Sequence, residues 1–110
     1  MANPWAGEVT VVLNGQAHVA RLTLGALAEL EAAMEAESLV DLVERFEQGR
    51  YTSRDVLGLI VAGLRGGGWC GTAEDLRAAE IAGGLGGAAR LAAELLVRAF
   101  APPDPAAAPK

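Results

Sequence analysis

Residues 7–23, GEVTVVLNGQAHVARLT, alternate apolar and polar positions on either side of Asn14-Gly15, a pair that favours the left-handed backbone of a type I′ turn. The pattern predicts a β-hairpin. A two-residue loop sets its register: Leu13 opposite Gln16, Val11 opposite His18 and Val9 opposite Ala20 on one face, with Thr10 opposite Val19 and Glu8 opposite Arg21 on the other. The opposite charges of Glu8 and Arg21 support that register.

From Thr23 onward the period lengthens to that of a helix. Thr23 can cap a helix from about Leu24 to Ala36, with Leu24, Leu27, Leu30 and Met34 inward and Glu29, Glu31 and Glu35 outward. SLVD (Ser38–Asp41), TSRD (Thr52–Asp55) and TAED (Thr72–Asp75) each resemble a capping box with Asp in the acidic position. The first opens a helix carrying Leu39, Leu42, Val43 and Phe46 that Gly49 ends. The second opens one carrying Val56, Leu57, Ile60, Val61 and Leu64, with Gly66 as its stop in a left-handed conformation. The third opens a short helix reaching about Ala82. After GGLGG a last helix runs from about Ala88 to Phe100, offering Leu91, Leu95, Leu96 and Phe100 for packing, before Pro102 and Pro103 stop it.

The expected class is therefore α+β: an N-terminal β-hairpin followed by four to five short helices in a single small domain, residues 7–101. Residues 102–110, rich in Pro and Ala, read as a disordered tail. At 110 residues there is little room for a second core.

Composition narrows the function classes. The net charge of −5 supplies no field toward phosphate backbones or anionic lipid, so neither nucleic acid nor membrane is an expected partner. The N-terminus lacks the pattern of a signal peptide and no apolar run approaches a membrane span, which together read as a cytoplasmic protein. With one cysteine, Cys70, and one histidine, His18, no disulfide and no thiolate–imidazole metal site is expected. Glu31 and Glu35 share a helix face without a further ligand and read as solvated. His18 reads as a half-buried packing residue, and Ser38 and Ser53 read as helix caps. No catalytic residue, cofactor or metal is expected.

One stretch matches nucleotide motifs as text. LRGGGWCG contains G-x-G-x-x-G at Gly66, Gly68 and Gly71, and the phosphate-loop spacing from Gly66 to Gly71. A dinucleotide site needs a strand before the glycines, whereas here a helix precedes them; the lysine of a phosphate loop is missing, because Thr72 follows Gly71 directly. Gly84, Gly86 and Ala89 give a second match, also read as following a helix. A small nucleotide-binding domain using the Gly66–Gly71 loop is thus the rival from another class. Within this loop Trp69 reads as a packing anchor or, if exposed, as a partner contact. Val12, Ala17 and Val19 leave the second hairpin face partly apolar, so Val12 and Val19 join Trp69 as candidate contacts, to be covered by helices, a partner or a second copy.

LTLGALAEL (Leu22–Leu30), FEQG (Phe46–Gly49) and LRGGG (Leu64–Gly68), together with the preceding hairpin, resemble a family of small proteins from the tail-gene block of gene transfer agents, phage-like particles of alphaproteobacteria. The similarity runs over roughly residues 7–100. It implies a place among phage tail-tube-region proteins and tail assembly chaperones, and no catalytic residue. Such chaperones bind the tape-measure protein, help tail-tube subunits polymerise around it and leave the finished particle. The implied partners are tape-measure protein, tail-tube protein or both, with a homo-oligomer as a further option. The alternative role is a minor tail-tube component retained in the particle.

Overall fold

A computed structural model of the chain describes residues 7–33 and 38–100. Strands β1 (Val9–Leu13) and β2 (Gln16–Ala20) form an antiparallel pair in the predicted register, Val9 with Ala20 through Leu13 with Gln16. Asn14 and Gly15 turn the chain with φ of 50° and 79°, the doubly left-handed backbone of a type I′ turn. Pleating sends Val9, Val11, Leu13 and Ala20 into the core, whereas Thr10 and Ala17 are exposed and Val12 and Val19 half-buried on the opposite face.

Five helices follow among the described residues: α1 (Leu24–Ala33), α2 (Leu39–Glu47), α3 (Ser53–Gly66), α4 (Ala73–Ala78) and α5 (Gly84–Phe100). Their starts follow the capping chemistry. The hydroxyl of Thr23 accepts the Ala26 N–H at 3.0 Å, that of Ser38 accepts the Asp41 N–H at 3.2 Å, and Thr52–Asp55 and Thr72–Asp75 form complete reciprocal capping boxes. Ser53 is therefore the first residue of α3 and not its cap. At the C-terminus of α2, Gly49 takes φ of 71°, and the N–H groups of Gly49 and Arg50 return to the carbonyls of Phe46 and Arg45.

Helix α3 lies at the centre, against α1, α4, α5 and β2. Leu59, Ile60 and Leu64 are fully buried there, joined by Leu42 from α2, Leu76 from α4 and Leu95 from α5. Each such side chain contributes about 1.5–3 kcal/mol through removal from water.

Several elements depart from the sequence expectations. Leu24 is 86% exposed; as the first residue of α1 it precedes the contact with α3, where the smaller Ala26 and then Leu30 turn inward. Met34 and Glu35 lie outside the described residues, as do Trp5 and residues 101–110. Helix α4 stops at Ala78 instead of Ala82, because Ala79 is extended with ψ of 153° and the following residues pair with β1. Helix α5 begins at Gly84, so most of GGLGG is helical; the Gly87 N–H reaches the Gly83 carbonyl at 3.1 Å and closes its first turn.

Candidate functional site

The glycine run is built around the end of α3. Helix geometry continues through Gly66, Gly67 is the cap, and Gly68, with φ of 106°, reverses the chain. The expected left-handed stop at Gly66 is thus displaced two residues along. The N–H of Trp69 bonds to the Leu64 carbonyl at 2.9 Å and that of Gly68 to the Arg65 carbonyl at 3.0 Å, the paired bonds of a Schellman motif.

Gly66 and Gly67 have a different task. A Cβ on Gly66 would collide with the Arg21 carbonyl oxygen, and one on Gly67 with the Val19 carbonyl oxygen. The missing side chains let the end of α3 lie directly on the outer edge of β2, where the Arg21 N–H also donates to the Gly63 carbonyl at 2.8 Å. One turn earlier, a Cβ on Gly63 would stand 2.8 Å from the Leu95 side chain, so α5 approaches α3 equally closely.

Beyond the helix the loop folds back. Trp69 is half-buried against the core, and its indole occupies the space a side chain on Gly71 would need. Arg65 donates from Nη1 to the Gly71 carbonyl at 3.3 Å and pairs through Nε with Glu29 on α1 at 3.6 Å. Cys70 is exposed, its thiol 3.7 Å from the Gly68 carbonyl.

This geometry decides against a phosphate cradle. The amides of Gly67, Gly68 and Trp69 are already bonded to helix carbonyls. The start of α4 is closed by its own box, with the Thr72 N–H on the Asp75 carboxylate at 2.9 Å, and Glu74 and Asp75 would repel an anion there. The second glycine match follows an extended residue and not a helix: Ile81 bridges to Leu13 of β1. That bridge is antiparallel, however, and a dinucleotide fold requires a parallel βαβ unit.

The hairpin edges are closed at specific places. On the β1 side the Asn14 N–H donates to the Glu80 carbonyl at 2.8 Å and the Ala82 N–H to the Val12 carbonyl at 3.1 Å; the Asn14 side chain accepts the Glu80 N–H at 2.9 Å. On the β2 side the α3 terminus covers Val19 to Arg21. The contact of Gly67 with Val19 brings the Trp69 loop to the same edge as Val19, while Val12 lies on the other strand. What stays open between them is the outward face of Thr10, Val12, Ala17 and Val19.

Two features were not read from the sequence. The segment at Glu80 to Ala82 pairs with β1 from far along the chain, its one local signal being the lone β-branched Ile81 before a glycine pair. The other is the ion pair of Arg45 and Asp55, at 3.2 Å, which ties α2 to α3; Asp55 is the one fully buried charged side chain among the described residues. His18 is half-buried as expected. Among the described residues no group of His, Cys, Asp and Glu is arranged to hold a metal ion, and no helix is long and apolar enough to cross a membrane.

The outward hairpin face, with Val12 and Val19 half-buried on it, and the folded-back Trp69 loop are the candidate contact surfaces among the described residues. Comparison with protein families matches residues 6–102 to the family described as phage tail tube protein, GTA-gp10. No curated protein and no solved structure matches the chain significantly. The match spans both the hairpin and all five described helices, and the chain belongs to this family of gene transfer agent tail proteins.

Proposed function

We propose that the protein is a non-enzymatic tail assembly chaperone, acting in the cytoplasm on tape-measure protein, tail-tube protein or both while a phage-like tail is built. The observation that carries the tail assignment within this reading is the family match over residues 6–102. Its support from physical chemistry is the self-sufficiency of the fold. Permanent subunit interfaces are large and apolar, like a core cut in half, whereas here the core closes within one chain. The large exposed apolar residues among those described are Leu24, Val40, Tyr51, Leu85 and Val97, three of them in the first turns of different helices. A surface of that kind suits a transient contact through the outward hairpin face and the Trp69 loop.

The family description, tail tube protein, favours a second reading, a minor component that stays in the particle. Co-purification of the tagged protein from particle-producing cells, with mass spectrometry of finished particles, separates the two. The chaperone reading expects tape-measure or tube protein in the captured fraction and depletion of the tagged chain from particles. Stoichiometric recovery in particles selects the retained component, and capture of neither tail protein overturns both.

A further inference from the structure

The segment Glu80–Ala82 sits on β1 as a strap. It joins α4 to α5, makes a single antiparallel bridge at Ile81, and holds the strand through two backbone bonds and the Asn14 side chain. Ile81 is half-buried on the core beside Leu13, and its carbonyl accepts the Gly84 N–H at 3.0 Å in a tight turn whose Gly83 and Gly84, with φ of 90° and 65°, lead the chain from the strap into the first residue of α5.

Alternation of antiparallel bonding directs the N–H and C=O of Thr10, Val12 and Asn14 away from β2, and the strap takes up the Val12–Asn14 part of that row. β1 itself, VTVVL, carries no charge and no proline, the usual protections of an edge strand. Four of its five residues are β-branched. Such a strand is complementary to its own antiparallel copy, since pairing Thr10 with Val12 of a second chain brings outward-facing amides and carbonyls together without opposing like charges.

We infer that the strap is an edge guard: Glu80–Ala82 keeps β1 from pairing with β1 of a second copy, and its local opening converts the monomer to a dimer joined through this edge. The guard acts whatever tail protein the chain binds.

The test releases the strap without disturbing the turn. Asn14→Gly keeps a backbone able to adopt positive φ and removes the acceptor for the Glu80 N–H. Ala82→Pro removes the donor to Val12, and the antiparallel bridge of the preceding Ile81 is compatible with the extended backbone that a residue before proline prefers. Sedimentation velocity over a concentration series is expected to show a monomer for the native chain, a concentration-dependent dimer for the double variant, and a monomer again when Thr10→Pro blocks the edge. A double variant with native circular dichroism that stays monomeric overturns the guard, as does a dimer that survives Thr10→Pro. Hydrogen exchange on the native chain covers the case of a variant that does not fold. Local opening requires the Asn14 and Ala82 amides to exchange together, about tenfold or more faster than the Arg21 amide held by Gly63; equal rates for all three overturn it.

Discussion

Gly67 packs on the carbonyl oxygen of Val19 so closely that no Cβ fits between them. Together with Gly66 against Arg21, this contact makes the LRGGG stretch a surface for helix-on-strand docking. Gly66→Ala and Gly67→Ala each force backbone apart from backbone and are expected to cost about 2 kcal/mol or more. Gly86→Ala is the control: it lies in α5, exposed, with nothing near its added methyl, and is expected to stabilise by about 0.5–1 kcal/mol. Urea unfolding measures all three, and a native midpoint for Gly67→Ala contradicts the docking account.

Asp55 places its two carboxylate oxygens on different elements. One accepts the Thr52 N–H at 2.9 Å and completes the α3 cap; the other meets Arg45 of α2 at 3.2 Å. Arg45 Nε is buried without a hydrogen-bond partner, 4.0 Å from Asp41, so the pair carries most of the compensation for burying that guanidinium. Removing Arg45 leaves the Asp55 carboxylate buried without its counter-ion, and removing Asp55 also breaks the cap on the Thr52 N–H: Arg45→Met and Asp55→Ala are each expected to cost about 3 kcal/mol. A double-mutant cycle checks the coupling, since the two losses should fall well short of adding. Additive losses would mean that the ions act independently.

Hairpin register and helix starts were legible because both are local. Asn14-Gly15 fixes the pairing of every residue in β1 and β2, and a hydroxyl three residues before a carboxylate fixes where α3 and α4 begin. The start of α5 was hidden for an energetic reason. The three glycines inside α5, Gly84, Gly86 and Gly87, disfavour a helix by about 1 kcal/mol each, yet α5 forms because Ala88, Ala92 and Leu95 bury against α3 and the hairpin. Tertiary packing outweighs propensity there. The strap and the Arg45–Asp55 pair are contacts between segments with no shared local signal. For the candidate contacts, sequence identified Trp69, Val12 and Val19 as apolar residues needing cover; that the strap and the α3 terminus already occupy parts of both strand edges, leaving the outward face open, required the fold.

Because the Gly67, Gly68 and Trp69 amides are bonded to helix carbonyls and the α4 start is acidic, ATP and NAD are expected to leave the protein unchanged. Titration to millimolar ligand with tryptophan fluorescence checks this, Trp69 being within the loop a nucleotide would occupy. A saturable change that Trp69→Phe alters and added salt does not would reinstate the nucleotide reading.

Trp69 can serve as anchor, contact or both, and stability separates these from binding. Its half-buried ring follows the Schellman turn and packs on the core, so Trp69→Ala is expected to cost about 2 kcal/mol. Val12→Lys and Val19→Lys are different, because a lysine stem can lie along the half-buried surface with its ammonium in water, and a change under about 1 kcal/mol is expected. If the outward hairpin face is the docking surface, both lysine variants lose capture of tape-measure or tube protein at native melting temperature. Trp69→Phe, which keeps much of the packing, then distinguishes the two roles of the loop: capture retained assigns Trp69 to the core, and capture lost with stability kept assigns it to the partner. Full capture by the Val12→Lys/Val19→Lys double variant would remove the hairpin face from the interface and leave the exposed helix residues Leu24, Val40, Leu85 and Val97 as the surface to probe next.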